Sequence, residues 1–111
     1  MGEINWRDNW DSALEVAQKE NRRILLELYM DGCPHCMRLH NETHADAQVA
    51  QEVNNFIPVK LEGRQNMDIV KKFNVTGAPT TLLFEPDGKE LHRFAGYYSA
   101  PEYLEQLKKA G

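Results

Sequence analysis

A nearly continuous apolar stretch ends just before the only two cysteines of the chain. The stretch runs from Ile24 to Met30, and Cys33 and Cys36 follow it in the sequence Cys-Pro-His-Cys. Such a run is typical of a β-strand that is buried on both faces. Pro34 suits the first turn of a helix, where a missing N–H matters least. The sequence therefore predicts a junction between a strand and a helix, with a cysteine at the helix start.

The two cysteines are too close in sequence for a disulfide between them to stabilise the fold appreciably. In the chain-entropy view a disulfide stabilises more as its loop lengthens, and this loop is among the shortest. The pair therefore predicts redox chemistry or metal binding. Unpaired N–H groups and the helix dipole favour an anion at the helix start, so Cys33 should be the nucleophilic thiolate. Cys36, nearly one turn later, should be buried and should resolve the mixed disulfide.

His35 lies between the two cysteines and is predicted to adjust their chemistry. An imidazolium beside the Cys33 thiolate would stabilise the reduced form and make the pair a stronger oxidant. The alternative is a solvent-exposed histidine with little influence. Titration of the Cys33 thiol in His35→Ala separates the two interpretations.

The remaining sequence predicts one mixed α/β domain. A chain of 111 residues, 41% hydrophobic and 27% charged, fits a single folded domain rather than a disordered segment. The predicted strands cover residues 24–30, 56–61, 80–84 and 90–94, and a tight turn at 85–88 joins the last two. The first predicted helix covers 11–20 and begins with a Ser12–Glu15 capping box, and the second covers 34–44. Asp46 is predicted to cap a helix over 46–53, and Asn66 is predicted to cap a short helix after it. A last helix is predicted to begin with a Ser99–Glu102 capping box.

Charge and hydropathy exclude several classes of function. The chain has 13 Lys and Arg against 17 Asp and Glu, with no long basic run that would suit nucleic acid or an anionic membrane. No apolar stretch approaches the roughly 20 residues of a membrane span. The first 23 residues lack the apolar core of a signal peptide. We expect a cytosolic chain, or a mature domain whose targeting segment has been removed.

Four segments, in this order, resemble the thioredoxin superfamily over nearly the whole chain. They are Leu26–Tyr29, Cys33–Cys36, Val59–Leu61 and Val75–Thr80. The resemblance implies a single domain over residues 1–111 with a thioredoxin fold, in which a mixed sheet of four or five strands has helices on both faces. It also implies thiol–disulfide exchange with protein substrates through Cys33 and Cys36, without a further cofactor.

Among subfamilies, the chain looks most like the periplasmic C-terminal domain of bacterial DsbD-type thiol–disulfide interchange proteins. This similarity implies a periplasmic location, a redox partner protein upstream and a monomer. The Pro34-His35 dipeptide is instead the one found in strong periplasmic oxidants. The direction of electron flow therefore stays open.

The resemblance also assigns a substrate-binding loop. It implies that the bond between Ala78 and Pro79 is cis, and that the loop from Thr76 offers the backbone of Ala78 to a substrate strand while shielding the sulfur atoms. Thioredoxins usually carry Trp before the first cysteine, where this chain has Gly32. The glycine widens the site and leaves the substrate preference open.

Two charged residues match the family's buried pair. Glu27 interrupts the first strand and matches a buried acid that could accept the proton of Cys36, directly or through a water. Lys60 matches a lysine near that acid. The alternative for both residues is an exposed position on a strand, because most strand Glu and Lys side chains reach solvent.

Two rival functions remain. Cys33 and Cys36 with His40 and His44, which follow at four-residue steps, could form a tetrahedral zinc site, although one helix wraps a single ion poorly. The simpler interpretation of both histidines is an exposed helix face. The second rival is an interaction module without redox activity, because a fold alone does not prove an activity.

Overall fold

Four strands form one mixed sheet in the computed structural model, which describes residues 3–110. The strands lie in the order β2-β1-β3-β4. Their bounds are β1 Ile24–Tyr29, β2 Ile57–Glu62, β3 Thr80–Phe84 and β4 Glu90–Ala95. β1 is parallel to β2, and β3 is antiparallel to both β1 and β4. Arg7 adds one isolated parallel bridge to Val59 of β2, so the possible fifth strand is reduced to this bridge and its two backbone hydrogen bonds.

Five α-helices cover the sheet within the described residues. They are α1 Trp10–Glu20, α2 Pro34–Arg38, α3 Ala47–Val53, α4 Met67–Lys72 and α5 Ala100–Lys108. Asp46 caps α3 through its side chain, and Glu102 accepts a hydrogen bond from the Ser99 nitrogen, as predicted.

One predicted cap is wrong, and a second is correct only in its position. The first helix starts earlier than expected, because Asn9 is its N-cap and Asn9 Oδ1 accepts from the Ser12 nitrogen at 2.8 Å. Ser12 therefore lies inside the helix and forms no capping box with Glu15. Asn66 does stand at the start of α4, but its side chain donates to the Glu62 carbonyl instead of capping the helix.

The predicted helix over residues 34–44 does not continue as an α-helix. After Arg38 it widens into a π-helical turn, Leu39–Thr43, in which the His44 nitrogen donates to the Leu39 carbonyl at 2.9 Å. An i to i+5 bond inserts one extra residue into the turn and rotates the following side chains around the axis. His40 is therefore exposed whereas His44 is buried. The prediction of an exposed face shared by these two histidines is wrong for His44.

Alternation along β1 divides the core between the two faces of the sheet. Leu26 and Leu28 pack in the cluster that contains Trp10 of α1 and Ile69 of α4. Leu25 packs in the opposite cluster with residues of α3 and α5. Since Glu27 shares the face of Leu25, its carboxyl group points into the protein beneath the helix that carries the cysteines.

Candidate active site

Cys33 is the N-cap residue of α2, directly after the loop that ends β1. Its Sγ atom accepts a hydrogen bond from the Cys36 backbone nitrogen at 3.3 Å. The side chain is partly exposed. A cap with an otherwise unpaired N–H pointing at the sulfur stabilises a thiolate there. The predicted placement of Cys33 at a helix start is therefore what the structure contains.

Cys36 lies one turn further along α2 and is buried, with 7% of its surface exposed. Burial raises the pKa of the Cys36 thiol to about 12, and the Cys33 sulfur and the Glu27 carboxylate add to this rise. Pro34 and His35 occupy the exposed first turn between the two cysteines. The two sulfur atoms thus sit in unlike environments, one open to solvent and one closed.

The turn before Cys33 depends on residues that sequence analysis gave no such role. Gly32 has a φ of +81°, in the left-handed region that favours glycine. Glu62 Oε2 accepts from the Asp31 nitrogen at 3.0 Å, and Arg64 Nη2 donates to the Asp31 carbonyl at 2.8 Å. The Asp-Gly dipeptide signals such a turn. No sequence pattern connects it to Glu62 at the end of β2.

The proline loop lies against the cysteines as predicted. The peptide bond between Ala78 and Pro79 is cis, and the Cys33 thiol lies 3.7 Å from the Ala78 carbonyl oxygen. Pro79 is buried, whereas Thr76 at the outer end of the loop is exposed. A cavity of about 250 Å³ opens beside this loop, and Met67 is among the residues that line it.

Glu27 is fully buried, with 1% of its surface exposed, and it has polar neighbours that the sequence analysis did not identify. Its Oε1 atom accepts from Thr81 Oγ1 at 2.7 Å and from the Tyr103 hydroxyl at 3.2 Å. His44 Nε2 lies 3.6 Å from the same oxygen. Within residues 3–110, Glu27 Oε2 has no hydrogen-bond partner. The alternative of an exposed Glu27 does not hold.

Lys60 stands opposite Glu27 in the register of β1 and β2, but the two side chains form no salt bridge. Lys60 Nζ lies 2.8 Å from His40 Nδ1 and above the rings of Tyr29 and Trp6, at 5.3 and 5.5 Å from their centroids. Burial lowers the pKa of Lys60, against the opposing effect of Glu27 and Cys36. The lysine is near the acid, as the resemblance implied, yet its partner is a histidine.

The structure separates the four side chains of the rival zinc site. His44 faces the buried Glu27 and Tyr103, while His40 turns to Lys60. Among residues 3–110, no three His, Cys, Asp or Glu side chains are grouped in a way that could hold a metal ion. In the same part of the chain, no helix has both the length and the apolar character needed to cross a membrane.

Known proteins share this sequence pattern. The family profile of the thioredoxin-like domain matches residues 10–111. The thiol:disulfide interchange protein DsbD of Actinobacillus pleuropneumoniae is 30% identical over 101 residues, which cover 86% of this chain and 17% of the relative. DsbD of Yersinia pestis is 30% identical over 99 residues, covering 84% of this chain and 17% of the relative. The chain thus spans about a sixth of the length of these relatives.

Solved structures share the fold. A thioredoxin from Thermus thermophilus superposes with a TM-score of 0.85 at 21% identity, covering 98% of this chain and 87% of that one. A Fasciola hepatica thioredoxin gives a TM-score of 0.72 at 26% identity, covering 91% and 94%. The predicted mixed sheet with helices on both faces is confirmed. The chain belongs to the thioredoxin-like domain family.

Proposed function

We propose that this domain exchanges the Cys33–Cys36 disulfide with protein substrates through a mixed disulfide on Cys33. The observation that carries the proposal is the contrast between the two sulfur atoms. Cys33 caps a helix and is partly exposed, whereas Cys36 is buried with a pKa raised to about 12. The thiolate is the nucleophile in disulfide exchange, so this contrast assigns the attack to Cys33.

The reaction then runs in two steps that balance. The Cys33 thiolate attacks one sulfur of a substrate disulfide, the substrate S–S bond breaks, and the other substrate sulfur leaves as a thiolate. Cys36 loses its proton and attacks Cys33 Sγ, which breaks the bond between Cys33 and the substrate. The substrate is reduced by two electrons and the Cys33–Cys36 disulfide forms. The reverse sequence oxidises a substrate dithiol.

The surrounding residues support these steps. Glu27 is the candidate base for the Cys36 proton, because its Oε2 atom has no partner among the described residues and its charge already acts on Cys36. Lys60 supplies a nearby positive charge that favours the carboxylate and the Cys36 thiolate. Pro34 fixes the first turn, and His35 adjusts the balance between dithiol and disulfide from its exposed position.

The substrate chain is proposed to lie along the proline loop. The Ala78 carbonyl is beside Cys33, and Thr76 lies at the exposed end of the same segment, before Pro79. Gly32 carries no side chain just before Cys33, and a Cβ at this position would meet nothing within 4 Å. This open space suits an extended protein segment that approaches the sulfur.

The wider setting is proposed from the relatives. The matched relatives are thiol:disulfide interchange proteins, so we infer that a redox partner protein returns this domain to its starting state. The same similarity favours the periplasm over the cytosol, with the domain acting as a monomer. A redox-silent interaction module on the same fold is the alternative that activity measurements must exclude.

Turnover with insulin and a dithiol reductant tests the proposal. We expect the wild-type chain to accelerate insulin reduction, Cys33→Ser to abolish the acceleration, and Cys36→Ser to accumulate a covalent adduct with the substrate on Cys33. Metal content after incubation with zinc tests the rival site in the same preparation. An inactive wild-type chain, or a Cys33→Ser variant as active as wild type, would contradict the proposal.

A further inference from the structure

The buried polar cluster around Glu27 has an unpartnered atom at each end. The cluster consists of Glu27, Thr81, Tyr103 and His44. Glu27 Oε1 receives the contacts of Thr81 and Tyr103, and His44 Nε2 lies 3.2 Å from the Tyr103 hydroxyl. Within residues 3–110, Glu27 Oε2 and His44 Nδ1 have no hydrogen-bond partner. Buried polar atoms nearly always have one, so two in one cluster need an explanation.

Tyr103 fixes where the protons of this cluster lie. Burial raises the pKa of Tyr103 well above its usual value, and the Glu27 carboxylate adds to the rise, so the side chain stays a phenol with a single proton. When that proton is donated to Glu27 Oε1, the Tyr103 oxygen is free to accept from His44 Nε2. The hydrogen bonds from Tyr103 to Glu27 Oε1 and from His44 Nε2 to Tyr103 can form whether or not Glu27 Oε2 carries a proton. The same holds for a proton on His44 Nδ1. The two unpartnered atoms can change protonation without breaking any hydrogen bond of the cluster.

His44 also connects the cluster to the surface. Glu27 is 1% exposed and Tyr103 is fully buried. His44 is 5% exposed and lines an open cleft of about 600 Å³. The ring of Trp6, which also lines this cleft, lies 5.2 Å from the imidazole. A proton on His44 can therefore exchange with solvent more readily than one on Glu27.

We propose that His44 balances the charge of Glu27 during disulfide exchange by releasing a proton from Nδ1 when Glu27 takes the proton of Cys36. This inference rests on the proposed function. In the reduced protein the pair is a carboxylate and an imidazolium. In the oxidised protein it is a carboxylic acid and a neutral imidazole. The net charge of the buried pair is zero in both states, which avoids an uncompensated buried charge.

The proton balance closes over a full cycle. During resolution the Cys36 proton moves to Glu27 Oε2, the Cys36 sulfur bonds to Cys33, and the His44 Nδ1 proton passes to solvent. When a dithiol partner reduces the disulfide again, Glu27 returns its proton to Cys36 and His44 takes one up. His44 is thus a positioning residue that acts through Glu27 and does not touch the reacting sulfur atoms.

Other ionisable groups surround His44 and are part of this balance. Tyr103 of α5 stays neutral. His40 precedes His44 by four residues, and partial desolvation of its ring lowers its pKa, followed by the charges of Lys60 and His44. Lys60 of β2 reaches this region through its contact with His40. The Lys60 ammonium raises the cost of a second cation nearby, which favours release of the His44 proton once Glu27 is neutral.

Infrared difference spectroscopy of the oxidised and reduced protein tests this proposal. We expect the C=O stretching band of a buried protonated carboxyl group to appear on oxidation and to be missing in Glu27→Gln. In His44→Gln, which keeps a donor toward Tyr103, the carboxyl should stay protonated in both states, so the difference band should vanish. His92→Gln is the matched control, because His92 contacts Gln106 at 2.7 Å away from the site.

Kinetics with 5,5′-dithiobis(2-nitrobenzoate) give a second readout. Cys33 releases the first thionitrobenzoate and Cys36 the second. We expect His44→Gln to slow the second release by about tenfold and to leave the rate of the first within about twofold. The reason is that a Glu27 that stays protonated cannot accept the Cys36 proton, and only the resolution step needs that transfer. A difference band unchanged in His44→Gln, or equal slowing of both steps, would overturn the inference. Failure of the first release in wild type would instead contradict the proposed function.

Nitrogen NMR of the wild-type protein keeps the inference testable should His44→Gln not fold. The ¹⁵N shift of His44 Nδ1 should report a protonated nitrogen in the reduced protein and a bare one in the oxidised protein. The same protonation state in both redox forms would overturn the inference.

Discussion

Cys33 Sγ lies 3.3 Å from the backbone nitrogen of Cys36, three residues further along the chain. The contact joins the two cysteines through a backbone donor at the first turn of α2. It stabilises negative charge on Cys33 alone, because the Cys36 sulfur is buried behind it with a pKa raised to about 12. Two chemically identical side chains thereby acquire different reactivity from their places in one helix.

Alkylation should distinguish the two sulfur atoms. We expect iodoacetamide to label Cys33 and to spare Cys36 in the folded, reduced protein at about pH 7, because a thiol with a pKa near 12 is thiolate in only about one molecule in 10⁵. Peptide mass spectrometry measures the labelling of each residue. Unfolding in guanidinium is the control and should allow both to react. Equal labelling in the folded protein would refute the asymmetry.

Replacement of His35 should change the reduction potential. His35 is exposed in the first turn of α2, between the two sulfur atoms. An imidazolium there stabilises the thiolate, and thus the reduced form, so His35→Ala should move the potential by about 30 mV toward more negative values, which corresponds to about 1.4 kcal/mol. Equilibration with glutathione buffers measures it. His92→Ala, on the remote β4, should leave the potential where it is, and a potential unmoved in His35→Ala would remove His35 from the mechanism.

Backbone conformation before Cys33 should make Gly32 hard to replace. Its φ of +81° disfavours any residue with a Cβ, so Gly32→Ala should lower the free energy of unfolding by about 1–2 kcal/mol. Gly77→Ala is the matched control, since a Cβ there meets nothing within 4 Å and its φ is not in the left-handed region. Urea denaturation compares the two. Equal stability of both variants would show that the turn tolerates a side chain.

Local patterns predicted much of this molecule, and the reasons are physical. The apolar run before Cys33 and the turn at 85–88 report burial and backbone preference, which are properties of short segments. These local preferences were enough to predict the four strands. The position of Pro79 beside the cysteines was predicted from the family resemblance, because the distance between these residues along the sequence does not reveal it.

The partners of Glu27 could not be predicted in the same way. Thr81 and Tyr103 are separated from it by 54 and 76 residues, so only the sheet and α5 bring them together. His44 became a neighbour through the π-helical turn after Arg38, which leaves no clear trace in the sequence. The tertiary contacts also decided that Lys60 pairs with a histidine rather than with Glu27.

Glu62 should make the turn before Cys33 sensitive to acid. The Asp31 N–H is the main cause that lowers the pKa of the Glu62 carboxyl below its usual 4.5, with contributions from the Gln65 and Arg64 backbone. A lowered pKa in the folded state means that the contribution to stability is present above 4.5 and is lost as pH falls through the folded value. Glu62→Gln should therefore have a lower free energy of unfolding than wild type at neutral pH. The difference between the two proteins should disappear at acidic pH. Urea titrations across this range measure it, and a difference that does not depend on pH would contradict the assignment.

Lys60 should control the titration of His40. The Lys60 ammonium donates to His40 Nδ1 at 2.8 Å, which requires a neutral imidazole. Partial desolvation of the ring, together with the Lys60 charge, lowers the pKa of His40 below its usual 6.5. The unfolded chain then binds this proton more readily than the folded one, so stability declines as pH falls below 6.5 toward the folded value. In Lys60→Met the cation is gone, so the pKa of His40 should rise. The loss of stability below pH 6.5 should then be smaller than in wild type. Proton NMR of the His40 ring measures the titration directly. Lys71→Met, which removes an exposed lysine of α4, is the control for a general change of charge, and a His40 titration that is identical in wild type and Lys60→Met would show that this contact does not set the protonation of His40.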